Sequence, residues 1–367
     1  MQRLDYYPPH FAQTRPYVKA FLRDVDERMK TAYGHQDIMG IASKHVANAF
    51  FDKGVVPGGA GMDPQAFALE CRCALLYNAW RLEGGVIYDF DPQLTQALRQ
   101  SSLAEVCIND LQYPFETIYF AFGALSGLVL ESGAPVTGAY VYYAPGYALR
   151  ISLTAPLAAS TPLSARGYEL YDLGIKEKHF SVNLEEAVKL ALEDDLEDIR
   201  SALAEMKTRG DARTRTDTVP TLERLLHTQA AQFEVYSQVV QLVANGLCYA
   251  SAYRDDVRER WPASTPDKLK QKAEGQGKEA QRAASKLLSM GFRKVRYLGE
   301  DFSASADESG SVAPHMRRAH WRNQAYGPGF SQHRLVWIRR TRVLGGAASE
   351  EPRIYRDNPD NLPGQSA

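Results

Sequence analysis

Residues 138–156, GAYVYYAPGYALRISLTAP, decide how the chain is read, because there the hydrophobic period falls to two. The run is rich in Tyr, Val and Ile, and Pro and Gly punctuate it, the pattern of paired strands. ETIYFAFG at 116–123 has the same character, while ESGAP at 131–135 and APGY at 144–147 read as hairpin turns. Tyr140, Tyr142, Tyr143 and Tyr147 have the rings to stack on bases, but one packed sheet face with an aromatic at a turn is the expected arrangement.

Outward from this stretch the period returns to that of a helix. RPYVKAFLRDVDERMKTAY (15–33) aligns Val18, Phe21, Leu22, Val25 and Met29 on one face, and IASKHVANAFFDKG (41–54) ends on a glycine suited to a C-terminal cap. His45 beside Phe50 and Phe51 is expected to be a core or surface histidine rather than a ligand. Asp63-Pro64 caps a further helix, PQAFALECRCALLYNAW. On the other side, NLEEAVKLALEDDLEDIRSALAEM (183–206) opens with Asn183 as N-cap and Glu186 three residues on. Asp194, Asp195 and Asp198 lack a suitably spaced His or Asn, so a solvated helix face is expected there rather than a metal site. KTRGDARTRTDT reads as a polar loop, and Pro220 opens a long core helix to about Tyr253, interrupted by Asn245 and Gly246. A lysine-rich helix from 262 breaks at GQG, resumes to Gly291, and is followed by a strand, FRKVRYLG (292–299).

The reading is therefore α+β, with helical layers around a small antiparallel sheet and a basic C-terminal β-hairpin that joins this sheet or forms a second one. The regions expected are helical from 1 to 110, antiparallel β from 111 to 170, helical with a long core helix from 171 to 300, the hairpin module from 301 to 346 and a tail from 347 to 367.

Composition excludes several classes. At 367 residues, 44% hydrophobic and 24% charged, the chain is long and apolar enough to bury a core. The four cysteines, Cys71, Cys73, Cys107 and Cys248, form no metal or disulfide motif and read as reduced, packed thiols. No apolar run of membrane-spanning length occurs, and MQRLDYYPPHFAQ lacks the core of a signal peptide, so a cytoplasmic protein with no membrane contact is expected. Phosphate-binding loops, dinucleotide fingerprints, HExxH and GxSxG are missing. Neither a cofactor nor a metal is expected, and oligomeric state is left open.

Charge is unevenly placed. The net charge is −1, yet residues 268–345 hold 16 Lys and Arg against 6 Asp and Glu, or +10. Residues 346–367 hold 2 Arg and 4 acids, or −2, so residues 1–267 carry −9. Within the basic region, HMRRAHWRNQAYGPG (315–329) alternates as a strand. It sends Arg318, His320, Arg322, Gln324 and Tyr326 to one face, and Ala319, Trp321, Asn323 and Ala325 to the other. YGPGFSQ turns, and HRLVWIRRTRVLG returns with Leu335, Trp337 and Arg339 on one face and Val336, Ile338 and Arg340 on the other. From 312 to 345 there are seven Arg and three His, with no acid and no Lys.

Arginine forks interleaved with aromatic rings fit a nucleic-acid backbone groove or a nucleotide phosphate pocket. The leading expectation is a nucleic-acid-associated protein contacting polyanion through Arg318, Arg322, Gln324, His333, Arg339 and Arg340. One alternative is a metal-independent enzyme acting on RNA or a nucleotide, with His320 as general base and Arg322 and Tyr326 assisting. Another is a protein-binding inhibitor whose acidic N-terminal part mimics nucleic acid. The basic hairpin as internal glue against the acidic helix is also open.

The string PHMRRAHWRNQAYGPGFSQHRLVWIRRTRVLGG (314–346) resembles a C-terminal HWR…YGPG…WI module of uncharacterised proteins from bacterial plasmids, prophages and other mobile elements. LVANGLCYASAYRDD and KLLSMGFRKVRYLG are similar to parts of such proteins. The resemblance implies a mobile-element setting, hence replication, defence, counter-defence or toxin biology: the enzyme alternative would be toxin-like and the inhibitor a counter-defence protein whose partner is a bacterial host protein. It assigns no residue a role.

Overall fold

The computed structural model describes residues 6–14, 73–74, 76–111, 113, 115–125, 127–129, 134–144, 148–155, 170–209, 212–302, 315–317, 319–338 and 341–343. The helices read over 15–54, the Asp63-Pro64 cap and Cys71 lie outside the described residues. In chain order, α1 (Tyr7–Thr14) is followed, after helical residues 76–82, by β1 (Ile87–Phe90), α2 (Pro92–Arg99), β2 (Thr117–Ala121), β3 (Gly138–Ala144), β4 (Ala148–Thr154) and β5 (Leu170–Lys176). Two long helices come next, α3 (Leu184–Arg209) and α4 (Ala212–Ala252). Then come β6 (Arg258–Arg260), α5 (Asp267–Ala273), α6 (Gly277–Ser289) and β7 (Val295–Leu298). The chain closes with β8 (His315–Arg317), β9 (His320–Tyr326), β10 (Gln332–Ile338) and β11 (Thr341–Val343).

The fold is α+β. Its main sheet has seven strands in the order β5-β4-β3-β2-β1-β7-β6. The arms are antiparallel, as the period of two requires, but β1 pairs in parallel with both β2 and β7. Strand β1 lies inside the stretch read as helical. It is only four residues long and buried at almost every position, so it offers no alternation to read. Asp91 then starts α2, its carboxylate accepting from the Gln93 N–H at 2.8 Å with Pro92 in the first turn.

One sheet face, including Phe90, Ile118, Phe120, Val141, Ile151 and Leu173, forms the main core with α3 and α4. Asn183 caps α3 as its sequence indicates, accepting from the Glu186 N–H at 2.9 Å. Helix α4 begins before Pro220, which lies inside it: 212–218, read as loop, are helical, because extending an existing helix costs far less than nucleating one. Among its described side chains, Tyr236, Val239, Val240, Val243, Leu247 and Cys248 are buried. The opposite sheet face meets α1, where Tyr7 stacks on Tyr119 at 6.3 Å and meets Tyr140 edge-on at 6.1 Å. Tyr140 and Tyr142 are buried and Tyr143 stacks on Tyr113 at 3.9 Å, so these rings pack; Tyr147 lies outside the described residues.

Helix α6 ends at Gly291 with φ +97°, the Phe292 N–H reaching back to the Leu287 carbonyl at 3.0 Å. Trp261, Leu287 and Phe292 form a small second core under α5 and α6. Strands β9 and β10 form a hairpin sheet of their own, and β8 pairs with β11. Among the described residues, Cys73, Cys107 and Cys248 form no disulfide. No described helix is long and apolar enough to cross a membrane.

Candidate functional site: the C-terminal hairpin

The hairpin is fastened by its inner face. Trp321 and Trp337, directly opposite in the β9–β10 register, stack at 6.1 Å and are both buried. Neither indole N–H is left unpaired. Trp321 Nε1 donates to Asn245 Oδ1 at 2.8 Å, and Trp337 Nε1 donates to Ser101 Oγ at 2.9 Å. Asn245 is satisfied on its other side, donating to the carbonyls of Ser101 at 3.3 Å and Gln241 at 3.0 Å. The backbone adds a short parallel bridge, in which Ser102 N–H donates to the Ala319 carbonyl at 2.8 Å and Trp321 N–H to the Ser102 carbonyl at 3.1 Å. Tyr249, Tyr253 and Phe302 complete the aromatic seat. The polar residue that interrupts the apolar face of α4 is thus the partner a buried tryptophan needs.

This anchoring sets what the other face shows. Cross-strand pairs run His320–Ile338, Arg322–Val336, Gln324–Arg334 and Tyr326–Gln332 along the outer face. Arg322 is exposed, as are Arg334 and Tyr326, and the Arg334 guanidinium lies over the Tyr326 ring at 5.3 Å. The outer face is therefore a mixed surface in which Val336 and Ile338 flank the cations.

The expected site residues separate on this frame. His320, Arg322, Gln324 and Tyr326 share the outer face, while His333 pairs with Ala325 and so belongs to the other one. Arg318, Arg339 and Arg340 lie outside the described residues. The proposed catalytic trio does not converge: His320 and Arg322 are neighbours on a face, but six residues of strand put Tyr326 about 20 Å from His320. No single reacting group can meet all three. Among the described residues no group of His, Cys, Asp and Glu is arranged to hold a metal ion.

Among the described residues, Asp194 and Asp198 on the acidic helix form ion pairs with the segment that precedes it. Asp194 pairs with Lys178 at 2.7 Å, Lys176 at 3.5 Å and His179 at 3.1 Å, and Asp198 with Lys176 at 3.1 Å. Glu185 instead accepts from the Ser102 hydroxyl at 2.8 Å and the Leu103 N–H at 2.9 Å, steadying the loop that holds the hairpin. A second concavity, about 450 Å³, is lined by Tyr88, Ser251, Arg254, Glu259 and Arg296. There Arg296 is held by Glu259 at 3.1 Å, by the Tyr88 hydroxyl at 3.2 Å and over the Phe115 ring at 4.7 Å. That arrangement ties β6 and β7 to β1.

Two features that sequence reasoning missed stand out. One is Ser101–Ser102, whose hydroxyl and backbone groups dock the hairpin from far along the chain. The other is Phe330, 72% exposed at the turn with φ +56°, a conformation unusual for a bulky side chain. Its signal in the sequence was an aromatic directly after Gly-Pro-Gly, where the turn needs no apolar side chain.

Comparison with known proteins places this geometry in a context. The model of a family described as AcrVA2-like, anti-CRISPR type V subtype A2, matches residues 88–345. Among solved structures the chain matches one described as "Crystal structure of AcrVA2", at 12% identity and a TM-score of 0.42, over 91% of this chain and 98% of that one. No curated protein matches.

Proposed function

Because the chain belongs to the AcrVA2-like anti-CRISPR family, we propose that it is a counter-defence protein of a mobile element that disables type V CRISPR immunity by binding a protein of that system. The observation that carries the reading is the extent of the family match. It runs from β1 to the end of β11, so it spans the seven-stranded sheet, both long helices and the hairpin. The hairpin's outer face is the contact surface in this reading. It is fixed to the core by Trp321 and Trp337, and it combines Arg322, Arg334 and Tyr326 with Val336 and Ile338. Arginine and tyrosine amid apolar neighbours are the composition of protein–protein contacts.

Binding of nucleic acid through the same face is the second reading, favoured by Arg322 and Gln324 standing side by side on one exposed row. On β10, Val336 and Ile338 stand opposite Arg322 and His320, so one side of the row is apolar, which weakens it as a phosphate track. The two are separated by titrating the purified chain with a purified type V effector protein free of RNA, and separately with its guide RNA. Saturable binding to the protein alone supports the proposal. Binding to the RNA alone, with a steep salt dependence, replaces it with the second reading.

A further inference from the structure

The tip of the hairpin is built to hold one aromatic side chain in water. Gly327 and Gly329 both take positive φ, at +78° and +63°, and the tight turn at Pro328–Phe330 is built on them. The Phe330 N–H donates to the Gly327 carbonyl at 3.1 Å and the Ser331 hydroxyl to the Pro328 carbonyl at 3.0 Å, so the turn is ordered by its own bonds. Phe330 itself has φ +56°. In that region an L side chain crowds the backbone, and glycine would serve the turn better. Folding thus gains nothing from a phenylalanine there: the ring is 72% exposed and the backbone is strained. Strain of this kind, held by its surroundings, points to a use outside the fold.

What surrounds Phe330 indicates the use. Tyr326, 39% exposed, ends β9, and Arg334 lies over its ring. One face of the tyrosine is therefore occupied by a cation and closed to a stacking base. No acidic residue occurs between 312 and 345, so the charge that the hairpin itself carries beside the two rings is positive. The complementary surface is apolar at its centre and acidic at its rim.

We propose that Phe330, flanked by Tyr326 and Arg334, is an anchor that inserts into an apolar pocket bordered by carboxylates on the protein partner. This inference rests on the counter-defence reading and adds to it the residue that carries most of the contact. Anchors of this type concentrate binding energy in a few aromatic and arginine side chains.

The test compares wild-type chain with Phe330→Gly, Phe330→Trp and Arg334→Glu in bacteria carrying type V immunity. Each protein is also titrated against the purified RNA-free effector, against a single-stranded RNA oligonucleotide, and against itself by light scattering. Phe330→Gly relieves the positive φ, so its melting temperature is expected to equal or exceed that of wild type. Its potency against immunity and its affinity for the effector are expected to fall at least about tenfold, with Phe330→Trp retaining both and Arg334→Glu losing them. Wild-type potency in Phe330→Gly overturns the anchor and leaves the counter-defence reading intact. Loss of self-association as the sole change in Phe330→Gly overturns it in favour of a contact between copies, and loss of RNA binding alone overturns it in favour of a base platform. Failure of the wild-type chain to affect immunity overturns both readings.

Discussion

The indole N–H of Trp321 donates to the side-chain oxygen of Asn245 at 2.8 Å across 76 residues of sequence, inside the core. That bond joins the basic hairpin to the longest helix, and it makes hairpin and core one structural unit. Trp321→Ala removes both the bond and a fully buried indole, and is expected to cost about 3–5 kcal/mol. Asn245→Ala leaves the indole N–H buried without an acceptor and is expected to cost about 1–3 kcal/mol. Because each variant removes the same bond, the double variant should cost less than the sum. Urea unfolding of the three variants measures all of this, and strict additivity would show that the bond contributes nothing.

Gly246, next along α4, faces inward. A Cβ there would stand 3.1 Å from Phe120 Cε2 and 3.1 Å from Phe90 Cζ, both buried rings of the central strands. Alanine would gain about 1 kcal/mol in helix propensity. Overpacking against rings that cannot withdraw costs about 1–3 kcal/mol, so Gly246→Ala is expected to lose about 1 kcal/mol net. A more stable variant would mean that the helix can slide away from β1 and β2.

Lys178, followed by His179 and Lys176, holds the Asp194 carboxyl at about 2, below its ordinary value near 3.8. A carboxyl depressed on folding adds stability that is complete above its unfolded value and is lost as pH falls through its folded one. Asp194→Asn is therefore expected to be less stable than wild type by about 1 kcal/mol at pH 6, after allowance for partial exposure. The two proteins should converge as pH falls from about 4 to about 2. Urea midpoints at pH 6, 4 and 2 check this, and a gap that persists at pH 2 would assign the loss to packing.

Arg322 and Arg334 make no contribution to the buried seat of the hairpin, so Arg322→Ala with Arg334→Ala should leave the melting temperature within a degree or two and remove activity against immunity. Were both arginines phosphate contacts, the salt slope of any nucleic-acid binding would fall by roughly 1.4 to 1.8. An unchanged slope beside lost inhibition supports the protein contact; a double variant that unfolds would make the pair structural.

Local chemistry was the legible part of this fold. Alternation marked β3 and β4, the Asn183 cap marked the start of α3, and the two faces of β9 could be separated from the spacing of Trp321 alone. Contacts made only through distant packing were not legible. Strand β1 is too short and too buried to alternate, and nothing local shows that it pairs in parallel with β2 and β7. Asn245 read as an interruption because its partner is 76 residues away. The polar stretch before Pro220 read as a loop because it lacks an apolar face, although its residues continue a helix. At the site, alternation grouped His320, Arg322, Gln324 and Tyr326 on one face, but distance along a strand makes them a surface rather than a reactive centre. Phe330 is masked in the sequence by the glycines and proline that mark its turn.

The central claim is that this chain lifts type V CRISPR immunity, and phage plating on a type V-immune host tests it most directly. With the chain expressed, the efficiency of plating is predicted to rise toward that of a host lacking immunity, and Asn245→Ala with Trp321→Ala, which unseats the hairpin, should abolish the rise. Immunity that stands unchanged in the presence of folded, soluble wild-type protein would contradict the account.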